Sequence, residues 1–420
     1  MPSPDALPRP AGSAAPAAPA APGLPPGALR PDVVDVAIAG GGCAGLALAE
    51  ALAVVAPHLR VGVVDGRRAG RDPRTWSSWD DGSDPVPEAV GASWASWEIR
   101  RPGDVVTASD PDHPYRMVRA ADYRAAMSAR ADARPATTTL HAGAHIRGVT
   151  ATGIDTTRGE LRASTVVDAR GPLPLGPPQP GRVRLHQRFL GQRIRTTIPV
   201  FDPTTATLMD FDVGRPAGDT AVRFVYVLPV SSTEALMEAT AFLPDAEDPE
   251  PFREDIARYV VRRWGLAPDE WTVVGEEAGS IPMTDEPVPA GPVASVGVRA
   301  GITRSSSGYA YARIQRQARQ VARALATGSA VPAFRDPWRT RALDAVFLRF
   351  LRDQPERAPE VFARMFRDLP GPLAVRFLTE RATLGDELRL VLALPKVPFL
   401  RAAAATGVDL ATRIRVRARR

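Results

Sequence analysis

The sequence predicts an α/β chain: a Rossmann-type nucleotide-binding fold that carries an inserted β-rich region and ends in a helical, basic C-terminal region. Three observations lead there. A glycine-rich turn, Gly40-Gly41-Gly42-Cys43-Ala44-Gly45, lies between a β-branched run and a stretch rich in alanine and leucine. Short strand-like runs separated by turn residues fill the middle of the chain. Beyond residue 334 the apolar residues recur at helical spacing.

Residues 1–31 hold ten prolines and almost no bulky apolar side chains, so they read as a disordered Pro/Ala-rich leader. Order begins at Val33, where Val33-Val34-Asp35-Val36-Ala37-Ile38-Ala39 reads as a buried strand. Residues 43–56 read as a helix and Arg60–Asp65 as a second strand, which makes a right-handed β-α-β unit with a parallel sheet. Thr138–His145, Arg147–Ile154 and Ala163–Asp168 read as a meander and a return strand. A second β-rich block spans 182–245, including Val222–Pro229 and Glu234–Phe242. Residues 291–300 suggest one more strand and Tyr309–Thr327 a helix. The resulting organisation is the leader (1–31), a discontinuous cofactor domain (about 32–180 and 275–330), an inserted substrate-binding region (about 181–274), and a helical basic region (331–420).

Composition narrows the classes. Of the 420 residues 44% are hydrophobic and 24% charged, which excludes wholesale disorder and a collagen-like fibre. A single cysteine, Cys43, excludes a disulfide scaffold and any multi-cysteine metal site, and no metal is expected. No run approaches the roughly 18 consecutive apolar residues of a spanning helix. Residues 311–420 hold 22 of the 53 basic groups but only 10 of the 47 acidic ones, which suggests contact with an anionic surface. In 341–352, Leu343, Phe347, Phe350 and Leu351 alternate with Arg341, Arg349 and Arg352, a pattern suited either to lying in a lipid headgroup plane or to a core helix with a solvated basic face.

The glycine turn fits G-x-G-x-x-G in its required context. Gly40 permits the tight turn, Gly42 lets backbone approach a pyrophosphate, and Gly45 allows close packing of helix and strand. Asp65, 20 residues after Gly45 at the end of the second strand, is placed for a ribose hydroxyl. Thr165–Gly171 adds a strand ending in D-x-x-G, with Asp168 and Gly171, and Val296–Gly301 adds a third glycine-bearing strand end. Three such features spread along one chain favour FAD over a simple nicotinamide dehydrogenase.

In order and spacing these residues resemble the flavin-dependent lycopene cyclase family of carotenoid biosynthesis, bacterial lycopene β-cyclases included. The resemblance runs from about Val33 to about Ala404. It rests on Arg74-Thr75-Trp76-Ser77, Gln187-Arg188-Phe189-Leu190-Gly191, Leu208-Met209-Asp210-Phe211-Asp212 and Leu236-Met237-Glu238-Ala239-Thr240. Gly279-Ser280-Ile281-Pro282-Met283, Arg299-Ala300-Gly301 with Ser307-Gly308-Tyr309, and Val397-Pro398-Phe399-Leu400 complete it. Ala239 stands where some members carry a second acid, which weakens a two-carboxylate mechanism at that segment.

The resemblance implies acid-initiated ring closure at the ends of lycopene, giving γ- and β-carotene, with reduced FAD and no net redox change. NAD(P)H is then the reductant that keeps the flavin reduced. Protonating a trisubstituted alkene needs a carboxylic acid held neutral in an apolar pocket. Glu238, among Leu236, Met237 and Phe242, is the candidate acid, and Asp210 the second candidate carboxylate. The cofactor positions implied are Gly40, Gly42, Gly45, Asp65, Asp168, Gly171, Gly301 and Gly308. The partners implied are a linear carotenoid and anionic membrane lipid, with no nucleic acid, and the location a cytoplasmic enzyme peripherally attached to a membrane. An FAD-dependent lipid reductase or hydroxylase of the same fold, or a non-catalytic flavin-bearing membrane protein, are the alternatives.

Overall fold

A computed structural model describes residues 33–67, 72–82, 84, 86–214, 219–244 and 250–418, the side chains of Glu250 and of 410–418 excepted. The leader expected over 1–31 lies outside the described residues. The chain opens with β1 (Val34–Ala39), α1 (Cys43–Val55) and β2 (Val61–Asp65), then runs through β3 (Thr75–Trp79), β4 (Val90–Trp94), β5 (Ser96–Arg101), β6 (Asp104–Ser109) and β7 (Tyr115–Arg119) into α2 (Ala120–Asp132). Next come β8 (Thr138–Ala142), β9 (Ile146–Thr150), β10 (Gly153–Thr156) and β11 (Gly159–Asp168). The inserted region contributes β12 (Arg184–Thr196), β13 (Thr205–Asp210), β14 (Val222–Pro229), β15 (Glu234–Leu243), α3 (Glu250–Trp264) and β16 (Trp271–Thr284). After β17 (Ala294–Ser295) the chain is helical: α4 (Tyr311–Ala326), α5 (Trp338–Asp353), α6 (Ala358–Asp368), α7 (Gly371–Leu378), α8 (Leu384–Ala393) and α9 (Lys396–Ala418).

The first sheet has the order β8-β2-β1-β11-β10-β9, with β17 beside β11. β1 pairs parallel with both β2 and β11, as the crossover through α1 requires. Leu48 and Leu52 of α1 share a core with Ile314, Ala318 and Val321 of α4, so the glycine turn sits at the head of a buried helix pair. The strand expected over 291–300 shrinks to Ala294–Ser295, because Gly297 (φ 66°) and Gly301 (φ 75°) turn the backbone out of extended form into a 3-10 turn.

The second sheet has the order β16-β12-β15-β14-β13-β5-β6. The substrate region is therefore larger than sequence indicated: β5 and β6, from 96–109, close its far edge, with β5 parallel to β13. One face packs on α3, where Met237, Ala239 and Ala241 meet Phe252, Ile256 and Tyr259. The other face, with Trp97, Leu208, Phe224 and Phe242, packs under the C-terminal helices through Leu348, Phe362, Phe366 and Leu390. A third, small sheet, β3-β7-β4, bridges the two large ones.

The C-terminal helices overturn the surface reading of 341–352. Leu348, Phe350 and Leu351 are buried, and Arg349 has no exposed surface. That arginine binds Asp409 (2.8 Å) and Asp285 (3.0 Å) and donates to Gly181 O (3.1 Å), tying α5 to α9 and to the base of the insertion. Arg313, Arg316, Arg339, Arg367 and Arg376 likewise engage acids of neighbouring elements. Much of the basic excess is thus consumed inside the protein, because helices that roof a sheet need polar anchors at their ends.

Candidate active site

The glycine turn opens into a cleft of about 570 Å³ between the two large sheets. Each glycine of the turn has its own geometric reason. Gly40 adopts φ 108°, and a Cβ there would lie 3.0 Å from the Ala169 backbone. A Cβ on Gly45 would come within 1.8 Å of the Gly40 carbonyl oxygen. A Cβ on Gly42 would meet nothing within 4 Å and would project into the cleft, where α1 presents its first-turn amides. Asp65 lies on the same wall, its carboxylate accepting hydrogen bonds from Arg67 N and from Arg124 Nη1, both at 2.8 Å. Gly171 and Gly308 also line it, together with Arg67, Arg74 and Arg170. This donor set and space fit an anionic dinucleotide. Asp168 and Gly301 stand behind the wall: Asp168 holds Arg170 (2.7 and 2.9 Å) and Arg299 (2.8 Å), and Gly301 turns against Val288. Burial pushes the Cys43 thiol up, so it is a neutral packing group.

The opposite wall of the cleft is the insertion's sheet, and its register sets the chemistry. Tyr226 of β14 faces Glu238 of β15; Glu238 faces Gly191 of β12; Gly191 faces Glu277 of β16. Residues directly opposite in antiparallel strands share a face, so one row carries a phenol, a carboxyl, a gap and a second carboxyl. A Cβ on Gly191 would sit 3.2 Å from Glu277 Cγ. Glu238 shows partial exposure, but to the cleft rather than the outer surface. Desolvation, reinforced by the nearby charge of Glu277 and opposed by a 3.2 Å hydrogen bond from Thr240 Oγ1, pushes its carboxyl up to about 8. Glu277 is 7% exposed and is pushed up to about 7, mainly by burial, against hydrogen bonds from Thr75. Its Oε2 is buried without a hydrogen-bond partner.

A second cavity of about 340 Å³ adjoins the first and is almost wholly apolar, walled by Trp79, Ile99, Leu208, Phe242, Phe347 and Phe362 among others. Gln187, Tyr226, Ser307 and Tyr309 border both spaces. Glu238 lines the cofactor-shaped cleft directly beside Tyr226, its partner in the row, which borders the apolar chamber as well. Tyr309 hydrogen-bonds Tyr115 and packs edge-on to Trp79 (5.5 Å between centroids), so aromatic faces crowd this border. The polar pair Arg304–Asp344, at 3.3 Å, is neutralised within the apolar wall.

Asp210 does not join this site. Its carboxylate accepts from Tyr259 Oη and Arg263 Nη1, each at 2.7 Å, and from Asp212 N at 2.9 Å, on the α3 side of the sheet. Its neighbour Met209 reaches the apolar cavity instead. Ala239 likewise points into the α3 core, so an acid there would not reach the cleft. The second carboxyl comes from Glu277, which sequence reasoning missed; its signal was the pair Glu276-Glu277, since adjacent strand residues must face opposite sides. Of the tryptophans of β3 to β5, Trp94 and Trp97 are core, Trp79 walls the apolar cavity and Trp76 the cleft. Among the described residues, no three His, Cys, Asp or Glu side chains converge as a metal site.

The profile described as "Lycopene cyclase protein" matches residues 35–404. A lycopene beta-cyclase of Paracoccus sp. (strain N81106 / MBIC 01143) is 30% identical over 396 residues, covering 87% of this chain and 95% of that one. One of Pseudescherichia vulneris is 28% identical over the same shares. Among solved structures, a geranylgeranyl bacteriochlorophyll reductase-like protein from Thermoplasma acidophilum superposes with a TM-score of 0.59 at 13% identity, covering 89% of this chain and 99% of that one. A flavoprotein/dehydrogenase from Cytophaga hutchinsonii gives 0.57 at 12%, covering 91% and 99%. At these identities the structural matches establish the fold, that of FAD-dependent oxidoreductases.

The buried acid has a thermodynamic signature. In the unfolded chain Glu238 ionises from about 4.5, whereas in the folded chain it keeps its proton to about 8. Folding stability must therefore fall as pH rises between those values. Glu238→Gln removes the penalty: the variant is expected to equal the parent at pH 4 and to exceed it by roughly 4 kcal/mol at pH 8. Denaturant unfolding at the two pH values checks this. An equal difference at both would show that Glu238 ionises normally in the folded protein.

Proposed function

The chain belongs to the lycopene cyclase family, and on that premise we propose that it is a lycopene β-cyclase, an isomerase that closes rings at the ends of lycopene to give γ- and β-carotene. The observation that carries this reading is the placement of Glu238, a carboxyl kept neutral near pH 7, on the cofactor cleft directly beside Tyr226, which borders the apolar chamber as well. An apolar chamber suits a hydrocarbon that offers no hydrogen-bonding group, and the family relatives carry a linear carotenoid in their names.

In this mechanism Glu238 gives its proton to the terminal double bond, one C–C bond forms as the ring closes, and a proton leaves the adjacent ring carbon for the Glu238 carboxylate. Atoms and electrons balance, so substrate and product are isomers. The phenols of Tyr226, Tyr115 and Tyr309 are all pushed up by burial and stay neutral, leaving electron-rich faces beside the cationic carbon. The aromatic wall also excludes water, which would otherwise capture the cation as an alcohol. FAD, held at Gly42 and the first turn of α1 with Asp65 toward its ribose, would supply negative charge in its reduced form without being consumed. NAD(P)H is the proposed reductant. Peripheral attachment to anionic membrane from the cytoplasm is the proposed location.

Two variants test the reading. Glu238→Gln keeps shape but carries no transferable proton; lycopene conversion is expected to fall at least 10²-fold with flavin content unchanged. Near-normal β-carotene formation would move the acid elsewhere. Stoichiometric loss of NAD(P)H per product, or a product of altered mass, would instead favour a reductase or hydroxylase. Gly42→Val fills the space reserved for the pyrophosphate and is expected to give purified protein lacking flavin absorbance. Wild-type flavin per chain in that variant would place the cofactor elsewhere.

A further inference from the structure

The elbow between α8 and α9 is apolar on both sides. Inward, Leu390 and Leu394 are buried and wall the apolar chamber with Pro395 and Phe399, while Val391 and Leu400 line the chamber and are themselves exposed. Outward, Leu384, Leu388, Leu392 and Val397 are 56–68% exposed. The two helices together have the length and composition of a membrane-crossing segment but are bent by 114°, and no single described helix is long and apolar enough to cross. Exposed leucines at this density, on the outer side of a cavity wall, mark a contact surface.

Charge selects the partner. The acids of this elbow turn inward: Asp386 binds Arg376 at 2.8 Å, Glu387 binds Arg339, and Asp409 binds Arg349 at 2.8 Å. Arg389, Lys396 and Arg401 are exposed, and Lys396 Nζ is fixed at the elbow by Val391 O (2.9 Å) and Leu392 O (2.6 Å). A leucine surface ringed by cations, with its acids withdrawn, matches an anionic lipid surface rather than another protein of mixed charge.

We propose that the α8–α9 elbow inserts into the headgroup–acyl boundary of an anionic bilayer, so that the apolar chamber opens directly into the membrane and a water-insoluble polyene reaches it without crossing water. This rests on the cyclase reading for the polyene, but not for the docking itself. The test uses the full chain and vesicles of phosphatidylcholine with phosphatidylglycerol. Leu388→Glu with Leu392→Glu, neither of which walls the chamber, is expected to lower vesicle affinity at least tenfold and to abolish turnover of vesicle-borne lycopene, while turnover of lycopene in detergent micelles stays within about twofold of the parent. Wild-type co-sedimentation by the double variant overturns the proposal. Should that variant fail to fold, a polarity-sensitive fluorophore on Leu388→Cys, with the parent and its lone Cys43 as control, must shift blue on adding vesicles; unchanged emission overturns it. A parent that dimerises through this face without binding vesicles overturns it in favour of a second copy. Vesicle binding through the elbow without cyclisation in either medium leaves the docking standing and removes the cyclase reading.

A second inference stands on the sheet register alone. Glu277 lies in one row with Glu238, two strands away, across the side-chain gap at Gly191, and its Oε2 has no partner. We infer that Glu277 is a positioning residue that acts through Glu238, its negative charge holding the Glu238 proton in place between turnovers. The titratable groups facing Glu238 are Tyr226 of β14, Tyr115 of β7 and Glu277 of β16; those around Glu277 are Asp72 and Arg74 ahead of β3, Arg119 of β7 and Arg193 of β12, the last paired with Glu234. Glu277→Gln should shift the alkaline limb of the kcat/KM profile downward by at least half a pH unit while leaving the rate at pH 6 within a few-fold, and Glu277→Asp should restore the limb. An unshifted limb, or a uniform loss at every pH, overturns the assignment.

Discussion

A carboxyl group on the inner face of a sheet must either ionise into water or stay neutral, and this fold closes the first option at Glu238. Strand alternation aims it away from the α3 core that takes Met237 and Ala239. The row it occupies offers no cation: a phenol on one side, a glycine and another carboxyl on the other. Arginines are plentiful in the chain, yet Arg74 of the cleft is bound to Asp72, Arg193 of β12 pairs with Glu234, and Arg263, on the α3 side, pairs with Asp210 and Glu98. Had one reached Glu238, it would have turned a proton donor into a permanent carboxylate. The missing counter-charge is as much a part of the site as the acid.

The same constraint explains the architecture around the row. The C-terminal helices roof one face of the sheet with phenylalanine, methionine and leucine, producing a chamber without hydrogen-bonding demands. Their many charges are routed into ion pairs at the helix ends, with the fully buried Arg349 as the extreme case. A buried arginine is costly unless every donor is matched, and here Asp285, Asp409 and two carbonyls supply the matches. The cofactor cleft obeys the opposite rule, lining itself with arginines and free helix amides suited to phosphate. Glu238 lies on the cleft side, next to Tyr226, the member of its row that borders both environments.

Sequence reading recovered the parts governed by local rules. The glycine turn, its flanking strands and α4 follow from backbone sterics and periodicity, and Val222–Pro229 falls where the β-branched run placed it. Glu238 was legible through the family resemblance of Leu236–Thr240, which sets an acid in an otherwise apolar stretch. Glu277 was not, because the pair Glu276-Glu277 shows only that one acid faces each side, and its partnership with Glu238 depends on how β16 registers against β12. Asp210 misled for the converse reason: a bulge in β13 lets Met209 reach the chamber while its neighbour turns to α3. The strands between 75 and 119 carry tryptophan, serine and charge in place of β-branched alternation, and so were passed over. The amphipathic pattern of α5 identifies a helix but leaves a membrane surface and a core equally open, since periodicity shows that a face is apolar and not what covers it; the structure puts it in the core.

The central claim is that an exchangeable proton from a neutral carboxylic acid starts ring closure and that nothing else is added or removed. Cyclising lycopene in deuterium oxide, followed by mass analysis of the product, tests it most directly. The account predicts a product that differs from the substrate only by one deuterium for each ring closed, with the label on the ring. An unlabelled ring, or a product heavier by added hydrogen or oxygen, would contradict it.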